Sequence, residues 1–324
     1  MFAKTSFERW WESGVFCIAV VLLSAGASFA QEKLPVRWEE LTGPDFVKAI
    51  AKSQGTCMLP FGILEKHGPS IPIGTDLIGV QYMAVHAAEQ EYTIVFPEYY
   101  FGQINEGRPQ PGAIALSAQL QLTIMQAVLD EMARNGCKKI IIANGHGGNP
   151  DMLRLLNQDQ MQKPRDYILY VYLGKHAKHP GGPPVRETNH NQHAGERETS
   201  MVLAIRPDLV HMDVCGTETG ESQARTPLSG INGPPGTGTD NQAAMALLTP
   251  VGFWYADFPN HYDGHACWAN KELGEFLVKN YIQDLVEAIR VVKADEDTAR
   301  ITKEFYERAA DPIDTPQTGT WWIK

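Results

Sequence analysis

The apolar positions of this chain fall into two kinds of pattern, and their order predicts a fold. Short continuous apolar runs at residues 56–63, 92–97, 138–143 and 167–173 read as strands. In the third, Ile140, Ile141 and Ile142 stand consecutively, as in a strand buried on both faces. Between the runs, residues 76–91 and 117–135 carry apolar residues at helical spacing. The second of these has Leu120, Ile124, Val128 and Met132 on one stripe, with Ser117 where an N-cap belongs and Gly136 just past the end. A last stripe of Leu273, Phe276, Leu277, Tyr281, Leu285 and Ile289 predicts a helix over residues 269–292. Strands that alternate with helices build a parallel sheet covered on both faces. The predicted class is therefore α/β, a three-layer α/β/α sandwich with a mostly parallel central sheet.

Residues 174–184 and 216–238 interrupt this periodicity with Gly, Pro, Ser and Thr, and read as long loops of the kind that form lids, interface arms or disordered segments. His176 and His179 lie in the first and read as exposed. The second leads into Trp254, Tyr255, His261, Tyr262, Asp263, His265 and Trp268. This aromatic and polar cluster suits the lining of a pocket and equally a hydrophobic patch that closes the core or meets a neighbouring subunit.

The N-terminus reads as an address. Residues 15–23 are apolar, and Ala25-Gly26-Ala27-Ser28-Phe29-Ala30 supplies small residues where a signal peptidase cuts, so cleavage is expected after Ala30. Lys4 and Arg9 are offset by Glu8 and Glu12, which leaves an uncleaved anchor as the alternative; the apolar run is short for a span of about 20 residues. The expected division is a signal peptide over residues 1–30, one large domain over residues 31–294 and a tail over residues 295–324, in a periplasmic or secreted protein without stable membrane association. A length of 324 residues and 43% hydrophobic content suit one large core. The net charge of −10, with no basic block, argues against nucleic acid as a partner. Cleavage would leave Cys57, Cys137, Cys215 and Cys267, widely scattered and without CxxC spacing. Cys57 and Cys137 fall in or beside apolar segments and read as small core residues, although an exporting compartment oxidises any pair whose geometry allows it.

The candidate chemistry sits where predicted strands end. Glu65 and His67 are two residues apart and point the same way in an extended segment, Asp76 follows, and His146 stands among glycines directly after the run of isoleucines. Mixed oxygen and nitrogen donors suit zinc, manganese or iron, and a carboxylate such as Asp76 can bridge two ions. The carboxyl ends of parallel strands are also where open α/β sheets place their ligands.

Pro60, Gly62, Glu65, His67, Gly68, Pro69, Pro72, Thr75 and Asp76 form a pattern that resembles the signature of the creatininase (creatinine amidohydrolase) family. Two later blocks agree, Asn144-Gly145-His146-Gly147-Gly148-Asn149 and His193-Ala194-Gly195-Glu196-Arg197-Glu198-Thr199-Ser200, and the likeness runs from about Leu41 to about Tyr281. The resemblance implies two divalent metal ions, one held by Glu65, Asp76 and His146 and the other by His67 and Asp76. It nominates Glu198 as the remaining ligand with Glu196 as the alternative, and His193 as the general acid, with Glu196 the second catalytic candidate. His190 aligns with no family histidine and reads as a polar loop residue. The implied activity is hydrolysis of a C–N bond other than a peptide bond, in a small amide or cyclic amide, by a hydroxide bridging the two ions. Family members commonly assemble as homo-oligomers, often hexamers.

Departures bear on the substrate. Creatininase itself has a glutamate ligand where this chain has Gly148, an aromatic where it has Gly147, and a tryptophan where it has Asn189. A serine, a histidine and a threonine common in the family are replaced by Ile104, Gly107 and Ala113. Creatinine is therefore disfavoured as the substrate. The other readings are a deformylase or lactone-opening hydrolase on the same centre, and a secreted binding protein with a relic site.

Overall fold

A computed structural model describes residues 34–174, 193–226 and 251–313. The expected signal peptide, His176, His179, His190 and the tryptophans at 321 and 322 lie outside the described residues, as do parts of both long loops.

Four strands, β1 (Thr56–Phe61), β2 (Ile94–Val95), β3 (Lys139–Asn144) and β4 (Ile168–Tyr172), form one all-parallel sheet in the order β2-β1-β3-β4. The fold is an α/β sandwich of three layers. On one face Met58, Ile141 and Ala143 pack against α2 (Thr75–Gln90) and α7 (Lys271–Ala294). On the other, Leu59, Phe61, Ile140 and Ile142 meet α3 (Ala118–Arg134) and α4 (Pro150–Asp159). Burial on both faces explains the unbroken apolar runs. Among the described residues the domain has three further helices, α1 (Gly43–Lys52), α5 (Glu196–Ile205) and α6 (Phe253–Asp257), and α8 (Asp297–Ala310) lies within the segment expected to be a tail. Among the described residues no helix is long and apolar enough to cross a membrane.

Two expectations shift in detail. β2 is only two residues long, although Phe96 just beyond it still donates to the Met58 carbonyl. In α3, Ser117 caps as expected, accepting from the Leu120 N–H at 3.4 Å. The fully buried face, however, runs through Met125, Leu129 and Met132, and Leu120 is 45% exposed. The stripe read from the sequence is thus displaced by about one position towards solvent.

Cys57 and Cys137 are core residues as expected, but they also form a disulfide, and Cys215 pairs with Cys267. The first joins the start of β1 to the turn before β3, at the end of the sheet opposite the candidate ligands.

Candidate metal centre

The first candidate ligands are set by strand ends. Past β1 the chain closes a turn in which the Glu65 N–H donates to the Ile73 carbonyl at 2.9 Å and His67 bridges to Ile71. A Cβ at Gly62 would stand 2.4 Å from the Cα of Leu77, so glycine is what lets the first turn of α2, with Asp76 in it, come against the strand end. Beside it β3 ends at Asn144. Its side chain donates to the His146 carbonyl at 2.7 Å and accepts from Asn149 Nδ2 at 3.1 Å, which clamps the His146 loop. Tyr281 of α7 donates to the Asn144 carbonyl at 2.7 Å.

A second group arrives from residues far along the chain. His193 and Asp263 exchange backbone hydrogen bonds at 3.0 and 2.9 Å. Just beyond, in the first turn of α5, Glu198 Oε2 accepts from the Ala194 N–H at 2.6 Å.

These donors converge. His146 Nδ1 lies 2.9 Å from both Glu65 Oε1 and Asp76 Oδ2, while His67 Nε2 lies 3.3 Å from Asp76 Oδ1 and 3.8 Å from Glu198 Oε2. Asp76 turns one carboxylate oxygen towards each histidine. Glu65 Oε1, Asp76 Oδ2 and His67 Nε2 are buried without a hydrogen-bond partner, an arrangement costly for polar atoms unless something completes them. Bonds to a divalent ion of about 2.0–2.2 Å place neighbouring donors about 3 Å apart, close to the spacing around His146. His67 Nδ1 donates to the Glu65 carbonyl at 3.1 Å, so Nε2 keeps the lone pair that a ligand needs. The residues present therefore fit two divalent ions.

The electrostatics agree with that fit. Burial opposes charge on His67, yet the carboxylates of Asp76, Glu65 and Glu198 raise it to about 10. His146 is likewise raised by Glu65 and Asp76 against its burial. Burial and the Asp76 charge push Glu198 up, although His67 draws it down. Glu65, despite its burial, is held well below the usual carboxylate range by His146 and His193. Such crowding of buried carboxylates is relieved by cations.

His193 is different. Its Nε2–H donates to the Lys66 carbonyl at 2.8 Å, and burial, with the rings of His67 and His261 nearby, lowers it to about 3. Its Nδ1 faces Glu198 Oε2 at 3.9 Å. Glu196, the alternative ligand, is wholly buried in the first turn of α5 and is not among the converging donor groups of the described residues. At Gly148 a Cβ would lie 2.5 Å from His146 Nε2, so a side chain there would collide with the ring.

His261 is the site residue that sequence reasoning missed. It is 2% exposed, and its Nε2 stands 2.5 Å from Glu65 Oε2. The only signal was its place in the aromatic and polar cluster. A cavity of about 280 Å³ opens beside the centre, where Asp76, His146, Arg197 and Glu198 face Val80 and Met83.

A three-layer α/β fold with paired carboxylate and imidazole donors at its strand ends suits metal-dependent hydrolysis. The family model for creatinine amidohydrolase matches residues 39–289, and the chain belongs to the creatininase family. It is 30% identical over 168 residues to the mycofactocin precursor peptide peptidase of Mycolicibacterium smegmatis, an alignment that covers 49% of this chain and 62% of that protein, and so less than two thirds of the relative. Against the creatinine amidohydrolase of Pseudomonas putida the identity is 27% over 196 residues, covering 54% of this chain and 73% of the other. The structure of creatinine amidohydrolase (creatininase) superposes with a TM-score of 0.59 at 22% identity, over 81% of this chain and 99% of that one, a likeness of fold.

Proposed function

We propose that the chain is a hydrolase that cleaves the C–N bond of a small amide or cyclic amide with two divalent metal ions, zinc, manganese or iron. The observation that carries this reading is Asp76, whose two oxygens face His146 and His67 separately within a set of buried donors that lack partners. Solved creatininases include a Zn–Zn type and a Mn form, which supports the choice of metals. Glu65, Asp76 and His146 would hold one ion and His67, Asp76 and Glu198 the other. Such ions polarise a carbonyl and lower the pKa of water so that hydroxide is available near neutral pH.

The chain's own residues supply the rest. With Nε2–H tied to the Lys66 carbonyl, His193 has Nδ1 as the atom that takes up a proton and hands it to the leaving nitrogen. Val80 and Met83 give the cavity a dry wall opposite the ligands. The two disulfides support action in an oxidising compartment outside the cytoplasm. A second reading, cleavage of a peptide bond, is favoured by the mycobacterial peptidase among the relatives.

Elemental analysis of protein kept free of chelator is expected to give close to two divalent ions per chain. The loaded protein is then assayed on cyclic amides, linear amides and short peptides. A protein that stays metal-free after loading ends the proposal, and turnover confined to peptides replaces the first reading by the second.

A further inference from the structure

We propose that His261 is a positioning residue, which holds one oxygen of Glu65 so that the other is presented to a metal ion. The proposal rests on the reading of Glu65 as a ligand. Glu65 is 1% exposed and its two oxygens face opposite ways: Oε1 lies 2.9 Å from His146 Nδ1, and Oε2 lies 2.5 Å from His261 Nε2. An ionised carboxylate only accepts, so Nε2 of His261 carries the proton and donates it. Donors that share an ion stand about 3 Å apart, which makes the closer contact a direct hydrogen bond. Partners of this kind orient a ligand and stop it from rotating away from the ion.

The surrounding backbone is built to hold the ring in place. His261 has φ +57°, a left-handed conformation uncommon outside glycine, and its neighbours hold it there. Its N–H donates to the Phe258 carbonyl at 2.9 Å, and its carbonyl accepts from the Gly68 N–H at 3.4 Å, which ties it to the turn that carries Glu65 and His67. The ring stands edge-on to His193 with centroids 4.7 Å apart. Two residues later Asp263 pairs with the His193 backbone. One short segment thus sets Glu65 and His193 together.

The competing role is ligation, because donor atoms of Glu65, His193 and His261 all lie within 4.8 Å of one another. Zinc titration of the metal-free full chain against a competing chromophoric chelator separates the two roles. His261→Ala is expected to weaken one of the two ions by roughly 10–100-fold, with the number bound at saturation unchanged. His261→Gln, whose amide nitrogen reaches about as far as Nε2 and can donate, is expected to recover most of that affinity. His261→Gly relieves the left-handed backbone but offers no donor, and should bind like the alanine variant. Parental affinity in His261→Ala overturns the proposal. So does a third ion in the parent that this variant lacks, which would make His261 a ligand. If His261→Ala fails to fold, the other two variants decide: Gln tight and Gly weak supports positioning, and equal affinities overturn it. Failure of the underlying reading is distinguishable, because the parent itself would then bind no zinc.

Discussion

The centre is assembled from two regions of unlike construction. Glu65, His67 and His146 stand on turns that leave β1 and β3, adjacent strands whose register pairs Phe61 with Asn144, and Asp76 stands beside them in the first turn of α2. His193, Glu198 and His261 come from segments outside the sheet, and are held by backbone pairing with Asp263 and by single contacts across the chain. The sheet half inherits its precision from secondary structure. The outer half must obtain its precision from side chains, so a single substitution there should alter one function at a time.

The sharpest break of this comparison sets Asp76 against Glu198. Asp76→Ala is expected to cost both ions and to reduce turnover on the order of 10³-fold or more, because metal catalysis contributes several kcal/mol. Glu198→Ala should empty only the position beside His67, with the ion beside His146 retained by elemental analysis. Glu196→Ala should keep both ions. Loss of one ion from Glu196→Ala, with two retained in Glu198→Ala, would move the ligand by two residues. His193→Ala comes next. It removes a proton carrier and no proposed ligand, so metal content should stay while turnover falls by roughly 10²–10⁴-fold. If that variant loses metal, His193 is a ligand and the proton carrier lies elsewhere.

Each half has its own disulfide, and this permits a cleaner contrast. Loops of 80 and 52 residues are closed by Cys57–Cys137 and Cys215–Cys267, and loss of either bond should cost about 2–5 kcal/mol in denaturant unfolding. The consequences for the centre should differ. Replacing Cys57 and Cys137 by Ala loosens the far end of the sheet and should leave zinc affinity near the parental value. Replacing Cys215 and Cys267 frees the stretch that leads from His261 to α7, and should weaken zinc binding as well. Equal affinities in the two double variants would refute the division drawn here.

The same division explains what could be read in advance. Glu65, His67 and Asp76 lie within twelve positions of one another, between the end of a buried strand and the first turn of the next helix, so local pattern and ligand chemistry coincide. His146 directly follows an apolar run and was legible for the same reason. Glu65 and His261 are 196 residues apart and meet only through tertiary docking, which periodicity does not encode. The disulfide partners were hidden in the same way, since scattered cysteines carry no pairing information. Helix α8 was missed although Ile301, Phe305 and Ala309 recur at helical spacing, because charged residues dominate the stretch and all of its residues are exposed or half-buried.

That helix lies outside both halves and provides the smallest test. Asp295 Oδ1 accepts from the Thr298 N–H at 3.0 Å at the start of α8, and Oδ2 accepts from the Tyr170 hydroxyl at 3.0 Å. Hydrogen bonds from the Thr298 hydroxyl and N–H hold its carboxyl at about 2, below the ordinary 3.8. The depressed value means that the charged form is the one the fold favours. Its contribution is therefore complete above the unfolded value of 3.8, and is lost as the pH falls through about 2. Because the group is solvent-screened, the capping role sets the scale: Asp295→Ala should cost about 0.5–1 kcal/mol near neutral pH. In urea unfolding, the gap between parent and variant should close as the pH is lowered from 4 towards 2, with zinc stoichiometry at neutral pH untouched. A gap that ignores pH would show that the carboxylate charge is irrelevant to the cap, and a loss of zinc would tie α8 to the centre after all.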